Sequence, residues 1–245
     1  MRRPMFRSAN KIVDDVMRLS RAGVTQVAFS HDIFTLPYAG RDDLISGVQS
    51  TKIQIGLMHE FWKLPTRETL RSVYSAFDSS LSQVSISAES GDTSVRQRNF
   101  PSKIFQDVEL LDCLKELKHH RQDVEIYFVA NLPFETRQTW PKTLQLMDRI
   151  AGVYGLDRLI AYCGFLTIDP QSPMWLDPVT YGVLKKFQKL DDYNDMSASG
   201  VRVPGFESRL LSNRDVIANL EQFRSHVIGL QSVAGSSGQS AAGEL

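Results

Sequence analysis

The chain has 245 residues, with 28 Lys plus Arg against 28 Asp plus Glu, so its formal net charge is zero. That balance gives no electrostatic argument for nucleic acid or an anionic membrane surface as partner. Cys113 and Cys163 are the only cysteines, too few for a disulfide framework or a cysteine-rich metal site. No apolar run is long enough to span a bilayer, and the basic start lacks the apolar centre of a signal peptide. A cytoplasmic protein is the expectation.

Ser8 is placed to cap a first helix with Ile12, Val13, Val16 and Leu19 on one face, Asp14 paired with Arg18, and Gly23 just past its end. A strand over 26–30 follows and ends at His31-Asp32. A polar stretch leads to a short helix over 41–48. The next strand, 53–58, ends at His59-Glu60. Thr66 is placed to cap a helix whose face carries Leu70, Val73, Tyr74 and Phe77. A strand over 83–88 ends at Glu89-Ser90-Gly91, and a helix over 104–118 repeats Ile104, Val108, Leu111, Leu114 and Leu117.

The strand 124–130 ends at Asn131-Leu132-Pro133. A helix starting near Thr139 tolerates Pro141 in its first turn and carries Trp140, Leu144, Met147 and Ala151. A last strand covers 158–166. Beyond Thr167 the turn residues Asp169-Pro170 and Asp177-Pro178 break the pattern. A short helix is expected over 183–190, a loop over 194–205, and a final helix from an Asn213 cap to about His226. The Ser-, Gly- and Ala-rich tail 231–245 reads as disordered.

Five strands alternating with helices imply a parallel sheet with right-handed crossovers. An open doubly wound sheet and a partial (β/α) barrel both fit, and in either the ligand sits at the strand C-termini. The candidates are therefore His31, Asp32, His59, Glu60, Glu89, Ser90 and Asn131. A carboxylate at Glu89 can accept from a ribose diol or an amino group, or can simply belong to the start of the helix capped at Asp92-Thr93. His31, Asp32, His59 and Glu60 have the chemistry for a divalent metal, as in a metal-dependent hydrolase, or for pairing with each other at the rim. Cys113 and Cys163 lie in apolar runs and read as small core residues. His119 and His120, ending a helix, suit its negative end.

These segments together resemble the radical S-adenosylmethionine (SAM) enzymes, in the branch with an upstream B12-binding domain. Arg7-Ser8 and the first helix resemble the stretch after the family's cluster loop, with Arg2 and Arg3 among its basic residues. Val27 to Thr35 resembles the second strand and its acidic end. Ile86 to Arg96 resembles the fourth strand with its Glu-Ser-Gly turn, and Tyr127 to Thr136 the fifth strand with its Gly-Leu-Pro-Gly-Glu-Thr turn. Ile168 to Gly182 resembles the segment after the sixth strand.

The resemblance implies a partial (β/α)6 TIM-like barrel lacking its first strand, over 1–168, and a mostly helical C-terminal extension, over 169–230, before the 231–245 tail. It implies a SAM site contacted by His31, Asp32, Glu89, Ser90, Ala130 and Asn131. Relatives hold a [4Fe-4S] cluster through Cys-x3-Cys-x2-Cys, and cobalamin upstream. The cluster reduces SAM to methionine and a 5′-deoxyadenosyl radical. This chain contains no such cysteine loop, and Asn131 and Phe134 stand where the family has glycines. The expectation is a radical SAM-type domain that does not cleave SAM reductively by itself and that pairs with a separate chain carrying the cluster loop or the B12 domain. A non-catalytic module binding a ligand or partner is the alternative.

Overall fold

In the computed structural model, residues 7–101, 105–194 and 204–240 are described, with side chains described through Val233. Arg2, Arg3, Ile104 and most of the loop expected over 194–205 lie outside these residues. A five-stranded sheet has the order β1-β2-β3-β4-β5. Its strands are β1 (Gln26–Ala28), β2 (Gly56–Phe61), β3 (Gln83–Glu89), β4 (Asp123–Val129) and β5 (Leu159–Gly164). β1 with β2 and β2 with β3 are parallel, Val27 facing Leu57 and His59 facing Val84. Val124 N–H donates to Arg158 O at 2.9 Å and Ala130 N–H to Gly164 O at 2.8 Å, so β4 and β5 also run in step.

The intervening helices are α1 (Ala9–Arg21), α2 (Arg41–Thr51), α3 (Arg67–Ala76), α4 (Thr93–Asn99), α5 (Asp107–His119) and α6 (Trp140–Tyr154). Among the described residues, no helix is long and apolar enough to cross a membrane. The strand–helix alternation is thus as expected, and each strand begins within three residues of its expected start.

Strand burial shows which face the helices cover. In β3, Val84, Ile86 and Ala88 are buried while Ser85, Ser87 and Glu89 are half-buried. β4 repeats the pattern with Val124, Ile126 and Phe128 against Glu125, Tyr127 and Val129. A parallel sheet covered on both faces reads as continuous apolar runs. Here one face is packed and the other keeps polar side chains such as Ser85, whose Oγ donates to Glu125 at 2.9 Å.

The chain divides into two compact units that interleave along the sequence. The first takes Met1–Ser87, Phe105–Ile126 and Gly152–Ile160. Its core includes Leu44, Ile55, Leu70, Phe77, Ile86, Leu110, Leu114 and Ile126, each contributing about 2 kcal/mol of burial. The second takes Ala88–Ile104, Tyr127–Ala151 and Ala161–Leu245, and therefore holds the C-terminal ends of β3, β4 and β5.

In the second unit the segment after β5 forms α7 (Pro173–Leu176), the antiparallel pair β6 (Val183–Lys185) and β7 (Phe206–Ser208), and α8 (Asn213–Ser240). The helix expected over 183–190 is a strand there, because Val183 joins Ile168, Met174 and Phe206 in a small core of its own. α8 is capped by Ser212 instead of Asn213: Ser212 Oγ accepts from Asp215 N–H at 3.2 Å and Asp215 Oδ2 accepts from Ser212 N–H at 3.1 Å. It continues past His226 and through 231–240, which the composition assigned to a disordered tail. Once Phe223 docks on Phe128 at 5.3 Å, each further residue adds a hydrogen bond without a new nucleation cost. In the first unit, Arg18 pairs with Asp15, three positions earlier, at 2.9 Å in place of the expected Asp14.

Candidate functional site

The end of β3 is a three-residue turn. Ser90 N–H donates to Ala88 O at 2.8 Å across Glu89, whose φ of 66° is left-handed. For a residue with a Cβ that conformation costs about 1–3 kcal/mol and persists only where its surroundings enforce it. The surroundings are visible. Ser90 is fully buried; its Oγ donates to Glu135 Oε2 at 2.9 Å and accepts from Asp92 N–H at 3.1 Å. Its carbonyl accepts from the buried Arg96 at 2.6 Å. Gly91 N–H donates to Thr143 Oγ1 at 2.9 Å, and a Cβ on Gly91 would collide with the backbone of Lys142 and Thr143.

Asp92 caps α4, accepting from Ser94 and Val95 N–H at 2.8 and 3.1 Å, and pairs with Lys142 at 2.6 Å. Burial pushes its carboxyl up, but Lys142, Ser94 and Val95 outweigh that and hold it at about 2. The helix-start reading of this turn therefore applies to Asp92. Glu89, the turn's other carboxylate, lies on the half-buried face of β3.

The second expected strand end is built differently. Ala130 and Asn131 are buried. Asn131 Oδ1 accepts from Leu166 N–H at 2.6 Å while its Nδ2 donates to Leu166 O at 3.1 Å, so the side chain extends the β4–β5 ladder by one rung. Phe134 sits at φ 69°, which explains why a glycine suits that position. Its ring lies under the Arg98 guanidinium, 3.5 Å from the centroid. Phe134→Gly and Phe134→Ala both lose this contact, but only glycine relieves the backbone. Urea unfolding should find the glycine variant the more stable by about 1 kcal/mol; equal midpoints would contradict the strain.

Glu135, one residue on, is completely buried. Burial drives its carboxyl above the ordinary value, against hydrogen bonds from Thr139 and Ser90, and the Asp92 charge adds to the rise. Sequence reasoning passed over Glu135, Lys142 and Thr143. Nothing local distinguishes them from surface residues; the available signal was that Leu132-Pro133 turns the chain back toward the end of β3.

In the first unit, Asp32 is buried and its carboxylate is fully engaged. It accepts from Phe34 N–H at 3.0 Å, Thr35 N–H at 2.9 Å, Trp62 N–H at 2.8 Å, His59 Nε2 at 3.1 Å and the Thr35 hydroxyl. Burial pushes the group up; the hydrogen bonds from His59, Thr35 and Trp62 more than reverse this and hold it at about 2. Asp32 is thus a brace between the loop after β1 and the loop after β2.

His59 is wedged edge-on between Phe34 and Phe61, at 5.0 and 4.9 Å. His31 is exposed with Nδ1 2.6 Å from Ser30 O, and Glu60 accepts from Ser87 Oγ at 2.8 Å. The four residues do not converge. Among the described residues no group of three or more His, Cys, Asp or Glu can hold a metal ion, which corrects the His31, Asp32, His59, Glu60 metal set.

An iron–sulfur cluster needs thiolates. Cys113 is buried on α5 and Cys163 lies on β5. Burial pushes both thiols up to about 12, helped by Glu116 and Glu135 respectively. These two groups do not fit a [4Fe-4S] cluster.

No protein-family model matches the chain and no curated protein matches it. The radical S-adenosylmethionine methyltransferase TsrM from Kitasatospora setae is similar in fold. With cobalamin and a [4Fe-4S] cluster bound, it gives a TM-score of 0.59 at 11% identity, over 75% of this chain and 35% of that one. With tryptophan substrate and the SAM analogue aza-SAM bound, it gives 0.60 at 11%, over 75% and 36%. This chain spans little more than a third of TsrM's length. Over the matched part, it shares the fold of TsrM.

Proposed function

We propose that this chain is a radical SAM-type domain, five strands of a partial (β/α)6 barrel, that binds SAM or a nucleotide of similar chemistry at the end of β3 and does not cleave it reductively on its own. One observation carries the reading: Glu89, a non-glycine residue, is held at a left-handed φ at the end of a strand and on that strand's half-buried face. Strain of this kind is maintained where a side chain must be aimed. A carboxylate there suits the paired hydroxyls of a ribose or the ammonium of an amino acid, which are donors that need an acceptor. Ser90 belongs to that turn; Ala130, Asn131, His31 and Asp32 are further contacts implied by the resemblance alone. SAM, when bound, supplies an adenosyl and a methyl group; the residues present supply binding and orientation.

Calorimetric titration with SAM tests this. Saturable binding is expected, weakened about tenfold in Glu89→Gln, where a charge-assisted acceptor becomes neutral. No binding by the wild-type chain would sink the reading. Anaerobic treatment with iron and sulfide should give no [4Fe-4S] absorbance, since the thiolates are missing.

A second reading, a module completed by a separate chain that carries the cluster loop, is favoured by β1. That strand is a sheet edge, and beside it lies a cleft of about 530 Å³ lined by Ile12, Val16 and Leu19 of α1 and by Val27 and Phe29. Edges of this kind accept an added strand. A cluster that assembles only after a cysteine-bearing partner chain is added would favour this form.

A further inference from the structure

Among the described residues, no cation lies on either oxygen of the buried Glu135 carboxylate. Oε1 accepts from the Thr139 hydroxyl and Oε2 from Ser90 Oγ at 2.9 Å. Ser90 is fully buried, so its hydroxyl is shut off from bulk solvent. Its proton is fixed on Glu135 and a lone pair is thereby fixed on Asp92 N–H, 3.1 Å away. That pair of bonds closes the turn in which Ser90 N–H also meets Ala88 O and Glu89 takes its φ of 66°. From this geometry we infer that Glu135 is the positioning residue of the ligand site: through the Ser90 hydroxyl it holds the Glu89 turn closed and so aims the Glu89 carboxylate. The inference rests on the proposal that Glu89 meets the ligand. It adds that the aim is set from a different strand end, 45 residues away in sequence.

The role has a chemical signature. A glutamine at 135 can still accept from Ser90 through its carbonyl. Its amide would then donate to Thr139 Oγ1, whose own proton has a second acceptor in Thr136 O at 3.2 Å. An alanine offers Ser90 nothing. Neither Asp92, already engaged with Lys142 at 2.6 Å and with the α4 cap, nor the high Cys163 thiol can replace the lost acceptor.

The test follows the backbone amide resonances of Glu89 to Asp92 in the ligand-free protein, and SAM affinity by titration. Glu135→Ala should displace those resonances and weaken SAM binding about tenfold; Glu135→Gln should restore both to within about twofold of wild type. Should the alanine variant fail to fold, Ser90→Ala severs the same link from the other end and is expected to displace the Glu89 resonance likewise. Resonances that stay in place in Glu135→Ala or Ser90→Ala, or that glutamine does not restore, would overturn the positioning role. If the resonances behave as expected but the wild-type chain binds no SAM, the ligand reading falls and the role of Glu135 in shaping the turn stands.

Discussion

Gly91→Ala should destabilise the protein by about 3 kcal/mol or more in urea unfolding, the range for overpacking against atoms that cannot yield. The Cβ it adds would fall on the Lys142 carbonyl and the Thr143 nitrogen, far inside the 3.0 Å that real Cβ atoms keep. Those atoms belong to the first turn of α6, which is fixed from its other side by Trp140, whose Nε1 donates to Gln222 at 2.9 Å. The helix therefore cannot retreat without breaking a second contact, and the Gly91 N–H to Thr143 bond is lost as well. Gly23 is the control. Its φ is +85° with nothing within 4 Å of an added Cβ, so Gly23→Ala should cost only the backbone penalty, about 1 kcal/mol. Equal costs at the two sites would show that the β3 turn does not lie against α6 as described.

Asp32→Asn should cost about 3 kcal/mol at neutral pH. The substitution keeps the shape but sets an NH2 group among donors: the Thr35 hydroxyl and Trp62 N–H now meet on Oδ2, and Phe34 N–H, Thr35 N–H and His59 Nε2 on Oδ1. Whichever way the amide faces, buried donors lose their acceptor. The pH dependence has a definite sign. The folded carboxyl is held at about 2, below its ordinary 3.8, so its contribution is complete above the ordinary value and fades as the pH falls through that window. From the linkage relation this amounts to about 2 kcal/mol. The wild type should thus lose stability in acid faster than Asp32→Asn, and the gap between them should narrow between pH 7 and pH 3. A gap independent of pH would mean that Asp32 is not held as an anion.

The fold was legible where periodicity carried it. Apolar alternation located β3 and β4, and Leu111, Leu114 and Leu117 located α5, because those patterns are local records of one packed face. The segment after β5 was not legible in the same way. Val183 and Phe206 form one small core across a long sequence gap, and neither alone differs from a residue on a short helix.

The site divides along the same line. That polar residues end the strands follows from sequence; which of them face inward does not. Asn131 and Asp32 carry the residue types of a binding site, yet both are consumed by backbone groups, Leu166 for one and Phe34, Thr35 and Trp62 for the other. Glu135 carries no such local signal, and its partners, the Ser90 and Thr139 hydroxyls, come together only in the fold.

The Glu89 turn also has a place in time. Its shape is stored in partners that are made later: Ser90 waits for Glu135, 45 residues downstream, and Gly91 for Thr143, 52 downstream. A nascent chain that has released β3 but not yet Glu135 holds neither contact, so the turn has no reason to keep a left-handed glutamate. The turn's shape is thus completed only once Glu135 and then Thr143 have been made, well after β3 itself.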